Sequence, residues 1–63
     1  MLNMPVLYSP AIREGVRVLY STVLDPRVYG RVIERARNRS WWVVEREDGD
    51  RDLIHKTDVI AIL

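Results

Sequence analysis

The Asp48-Gly49 pair, set between two runs of strand-forming residues, constrains this chain more than any other feature. Trp41-Trp42-Val43-Val44 lies before it and Leu53-Ile54 after it. Aspartate–glycine between such runs is a strong hairpin signal, because the tightest hairpin turn needs positive φ at both central residues. A two-residue turn at this point pairs Val44 with Leu53 and Val43 with Ile54. Both faces of the hairpin are then apolar. Either the loop contains a bulge, or both faces are partly buried. Trp41 and Trp42 are adjacent and so point to opposite faces of the strand, which leaves open which of them fills a core.

The same reading extends in both directions. Val16, Val18 and Tyr20 alternate with Arg17, Leu19 and Ser21, a period of two that predicts a first strand from Gly15. Asp25-Pro26 marks a loop over residues 22–29, and residues 30–36 form the second strand. Residues 37–40 are a turn in which Asn38 tolerates a left-handed backbone. Strands follow at 41–47, 51–55 and 59–63, the last two separated by a short turn at 56–58. Upstream, Pro5 and Pro10 break any regular pattern and predict an extended arm over residues 1–14. Ser9 as N-cap, Pro10 as first helical residue and Gly15 as C-terminal cap allow at most one turn of helix there.

Length sets the remaining limits. With 63 residues and no cysteine, the chain is one domain without a disulfide, and such a core supplies only ~3–5 kcal/mol by itself. No apolar run approaches the ~20 residues of a membrane helix, and the first residues lack the basic start of a signal peptide. A soluble, cytoplasmic domain is expected. Five short strands with close turns must hide their edges. The expected fold is therefore all-β, a five-stranded SH3-like barrel over residues 15–63 preceded by the arm.

Four segments carry a resemblance. Gly15-Val16-Arg17-Val18-Leu19, Gly30-Arg31-Val32, Trp42-Val43-Val44-Glu45 before Asp48-Gly49, and Ile54-His55-Lys56-Thr57-Asp58-Val59 together resemble the small SH3-like barrels of the Tudor and KOW type. The resemblance implies the barrel, with Trp42 and Val44 facing inward. It does not imply one function, since these barrels serve many. The pattern is more distantly similar to the type II, plasmid-type dihydrofolate reductases, tetramers whose pore is lined by a Val-Gln-Ile-Tyr segment. Asp52-Leu53-Ile54-His55 occupies that place and keeps only the isoleucine, so no reductase activity is expected.

Chemistry-bearing residues are few. His55 is the only histidine, and no nucleophile, base and orienting group can be assembled around it. Asp48, Asp50 and Asp52 have the start of a calcium-loop spacing, but Leu53 and Val59 stand where glycine and glutamate are required. No enzyme, metal site or cofactor is expected. Two binding readings remain. The two-faced hairpin suggests a surface that docks a protein partner or a second copy, with Trp41, Val43, Ile33 and Ile54 as interface candidates. The arm, through Leu2, Met4, Val6, Leu7 and Tyr8, could instead cover it. The segment 27–41 is basic, and arginines beside an aromatic suit RNA or single-stranded DNA through phosphate neutralisation and base stacking. Arg31, Arg35, Arg37, Arg39 and Trp41 are the nucleic-acid candidates. The following segment, 45–52, is mostly acidic, so the arginines could instead pair with it, and the net charge is only +1.

Overall fold

The computed structural model describes residues 12–63. The strands are β1 (Arg17–Tyr20), β2 (Val28–Arg35), β3 (Trp41–Arg46), β4 (Arg51–His55) and β5 (Val59–Ile62), with a 3₁₀ turn at Lys56–Asp58. All pairings are antiparallel, in one sheet of order β4-β3-β2-β1-β5. The all-β expectation holds. The arm expected over residues 1–14, and its apolar side chains, lie outside the described residues as far as residue 11. Residues 12–14 are not helical. Val16 N–H instead closes a turn onto Arg13 O, with Gly15 at φ +90°.

The sheet curls on itself. In a flat sheet β1 and β4 would stand three strand spacings apart, ~14 Å. Yet Tyr20 of β1 donates to Asp52 of β4 over 2.6 Å. Curling brings Val18, Tyr20, Val28, Val32, Trp42, Val44 and Ile54 into one core, with Ile12, Val16, Val59 and Ile62 packed against it. Among the described residues the hydrogen-bond ladder does not close, so β4 and β5 are its two edges. The 3₁₀ corner joins them.

Gly30 permits the curl. It pairs with Val18 on one side and Arg46 on the other. A Cβ there would lie 2.5 Å from Val44 Cγ1, 2.9 Å from Glu45 O and 3.2 Å from Tyr20 Cε1. Only a residue without a side chain lets these groups meet.

Several boundaries differ from the sequence expectation. β2 begins at Val28, two residues early, because Val28 is apolar enough to enter the core despite its place after a proline turn. Asn38 does not take a left-handed backbone, since no described non-glycine residue has positive φ. Its Oδ1 accepts the Ser40 N–H at 3.0 Å, which shapes the turn from the side chain. The β3–β4 loop has three residues rather than two. Arg46 N–H bonds Asp50 O, Gly49 N–H bonds Arg46 O, and only Gly49 has positive φ, at +95°. Asp48 Oδ1 accepts the Asp50 N–H at 2.9 Å and favours this bulged form. The extra residue shifts the register so that Trp42 pairs with Ile54 and Val43 with Leu53.

One end of the core is sealed by polar groups. Tyr20 and Arg46 Nε both bond Asp52 Oδ2, at 2.6 and 2.7 Å, and Arg46 reaches Asp25 at 3.7 Å. The hydrogen bonds from Arg46 hold the Asp52 carboxyl below the usual range, although its burial acts the other way. Burial, and then the bond to Asp52, pushes the Tyr20 phenol up. The signs follow. A depressed carboxylate stabilises the fold above its unfolded value, about 3.9, and that stability fades as pH falls through the folded value. A raised phenol stabilises below its unfolded value, about 10, and fades as pH rises. Asp52→Asn is expected to cost about 2 kcal/mol at neutral pH and to flatten the acid limb of stability against pH, read by urea denaturation. An unchanged acid limb would remove Asp52 from its origin.

Candidate docking surface

The bulged register decides which apolar residues face solvent. Trp42, Val44 and Ile54 turn inward, at 5%, 0% and 2% exposure. Trp41, Val43 and Leu53 turn outward, with Leu53 60% exposed. Ile54, expected at an interface, is therefore a core residue, and Leu53 takes the outward position. Trp41 is half-buried and packs edge-on against its cross-strand partner His55, ring centroids 5.1 Å apart. Ile33 is half-buried at a bulge in β2, where Ile33 and Glu34 together oppose Val43.

A second element adds to this face. Thr22 N–H bonds Asp25 O at 2.7 Å, and Asp25 N–H bonds Thr22 Oγ1 at 2.9 Å. Ser21 N–H bonds Asp58 O and anchors the loop to the 3₁₀ corner. This closed turn places Val23 and Leu24 at its tip, 101% and 88% exposed. Turn centres are normally polar, and two aliphatic side chains in water do nothing for folding. Val23, Leu24, Trp41, Leu53 and Ile54 line a groove of about 390 Å³ beside β4. On the other side of Trp41 and Leu53 a mostly apolar hollow is bounded by Ala36, Arg37 and Asn38. Trp41 and Leu53 form the ridge between the two.

The arginines expected to act together are divided. Arg31 donates to Gly15 O at 2.8 Å and stands opposite Arg17 and Glu45 in the register. The β2 bulge turns Arg35 onto the core side, where its guanidinium lies 4.5 Å from the Trp42 ring centroid. Only Arg37 and Arg39 share the turn that leads into Trp41. Among the described residues neither has a carboxylate within 4.0 Å; in the acidic segment Asp52 pairs with Arg46 and Glu45 with Arg51.

His55 and Asp58 meet, but as a helix cap. Asp58 Oδ2 accepts the His55 backbone N–H at 3.0 Å, while the His55 ring accepts the Thr57 N–H at 3.1 Å. Reciprocal bonds of this kind satisfy the start of the 3₁₀ turn. Asp58 orients the backbone and not the imidazole. No cluster of three potential metal ligands occurs among the described residues. No described helix is long and apolar enough to cross a membrane.

Sequence reasoning missed Leu53, Val23 and Leu24. For Leu53 the missing signal was the loop length, because one residue in the turn exchanges the two faces of a strand. For Val23 and Leu24 the residues flanking them, Thr22 and Asp25, were the available cue to a closed turn. Compared with family models, with curated proteins and with solved structures, the chain finds no match.

Proposed function

We propose that the protein is a non-catalytic docking module that engages a protein partner or a second copy through the ridge of Trp41 and Leu53 and the loop tip at Val23 and Leu24. The observation that carries this reading is the exposure of three large aliphatic side chains, Val23, Leu24 and Leu53, around one groove. They contribute little to the core, and burying them against a partner is worth roughly 25 cal/mol per Å² of apolar surface. The use of His55 and Asp58 as caps supports a binding role over catalysis.

A second reading is favoured by one observation. Arg37 and Arg39 are exposed, have no carboxylate partner among the described residues and adjoin a half-exposed tryptophan, which suits single-stranded RNA or DNA.

Two measurements separate the readings. Selection from a random peptide library against dilute protein is expected to enrich binders that lose affinity when Leu53 is changed to Arg or Leu24 to Asp. Titration with mixed-sequence oligonucleotides at low salt is expected to leave tryptophan fluorescence unchanged. Steep, salt-sensitive quenching that disappears in Arg37→Glu/Arg39→Glu would replace the docking reading with the nucleic-acid one.

A further inference from the structure

We infer that the partner at this face is a second copy of the chain, added antiparallel along β4 across a two-fold axis at Leu53. The inference rests on the docking reading and names its occupant.

The backbone comes first. Arg46 N–H to Asp50 O and Lys56 N–H to Ser40 O frame the β3–β4 ladder. Hydrogen-bonded pairs alternate in an antiparallel ladder, so the even-numbered residues of β4 face β3. Arg51, Leu53 and His55 then direct their backbone groups to the edge that no described strand pairs. Asp58 occupies the His55 N–H. Leu53, at the middle of the five-residue strand, keeps both N–H and C=O toward the edge. A two-fold axis there lets Leu53 exchange both bonds with its own copy. Arg51 N–H meets His55 C=O of the other chain. β4 contains no proline, no lysine and no register shift, three of the devices that keep an edge from pairing, and its Arg51 is paired with Glu45 of its own hairpin. Its inward charge, Asp52, is held by Arg46 and Tyr20.

Charge supplies the orientation. The hairpin of β3 and β4 is basic at one end and acidic at the other. Arg37, Arg39 and Lys56 surround the start of β3 and the end of β4; Glu47, Asp48 and Asp50 form the far tip. Antiparallel pairing brings each basic end beside the acidic end of the other copy, twice by symmetry. A self-complementary patch of this kind is what a two-fold interface requires. It also buries Leu53 against Leu53 and brings the Val23–Leu24 tip of each chain toward its partner. The other edge, β5, is Val-Ile-Ala-Ile and has no charge to orient a copy.

Sedimentation equilibrium on the full chain, from low micromolar to millimolar, tests the inference. The wild type is expected to be a dimer that weakens with salt, and Leu53→Arg to be a folded monomer. Arg37→Glu/Arg39→Glu and Glu47→Lys/Asp50→Lys should each weaken association on the order of tenfold or more. Combining all four changes should restore it. A monomer at every concentration would overturn the inference; peptide capture at Leu53 by that monomer would still leave the docking reading standing. A dimer indifferent to Leu53→Arg, or one that the combined reversal fails to rescue, would overturn the β4 arrangement.

Discussion

Replacing Gly30 with alanine is expected to destabilise the fold by about 2–3 kcal/mol, the upper part of the range for overpacked cores. One methyl group has this effect because of where it would stand. It would lie 2.5 Å from Val44 Cγ1 and 2.9 Å from a backbone oxygen, Glu45 O. Val44 is fully buried and the oxygen belongs to the ladder, so neither can move cheaply. The Tyr20 ring, 3.2 Å from the same point, would also be pushed from its path to Asp52. In a core that supplies only ~3–5 kcal/mol by itself, such a loss leaves a substantial unfolded population at room temperature. Urea denaturation followed by circular dichroism checks it. A loss under about 0.5 kcal/mol, the scale of ordinary surface substitutions, would mean that the sheet is less tightly curled at Gly30.

The two tryptophans are expected to behave oppositely on truncation. Trp42→Ala removes a 5%-exposed ring from among Ile54, Val44 and the Arg35 guanidinium. Buried aromatic-to-alanine changes cost about 3–5 kcal/mol, enough to unfold a domain of this size at room temperature. Trp41→Ala removes a half-buried ring that touches His55 on the outer face. Its cost is expected near 1 kcal/mol, the size of an edge-to-face pair, and the variant stays folded while it loses partner affinity. Circular dichroism and thermal melting separate the two. A folded Trp42→Ala with an unfolded Trp41→Ala would reverse the assignment of faces.

Much of this fold was legible because its signals are local. Alternation at Val18 and Tyr20, the turn at 37–40 and the corner at 56–58 all depend on residues close in sequence and stand where expected, although the first strand starts at Arg17, two residues after the Gly15 that the alternation predicts. The face assignment was not local. It depended on whether Asp48-Gly49 closes a two- or a three-residue loop, a choice made by the Asp48 side chain and the left-handed Gly49. The resemblance to small barrels placed Trp42 and Val44 inward, whereas the turn rule by itself left both faces apolar. The division of the arginines was also hidden. A bulge at Ile33 and Glu34 re-aims Arg35, and nothing in Val32-Ile33-Glu34-Arg35 announces one. The Tyr20–Asp52–Arg46 seal joins residues 32 positions apart, a contact that only the curl of the sheet creates.

The register of the β3–β4 hairpin underlies both the core and the docking face, and acrylamide quenching of Trp41→Phe and Trp42→Phe tests it most directly. With Trp41→Phe, the remaining Trp42 is expected to emit at short wavelength and resist quenching. With Trp42→Phe, measured in the Leu53→Arg monomer so that a second copy does not cover the face, the remaining Trp41 is expected to emit further to the red and to be quenched readily. A shielded Trp41 and an accessible Trp42 would contradict the register, and with it the assignment of Leu53 to the docking surface.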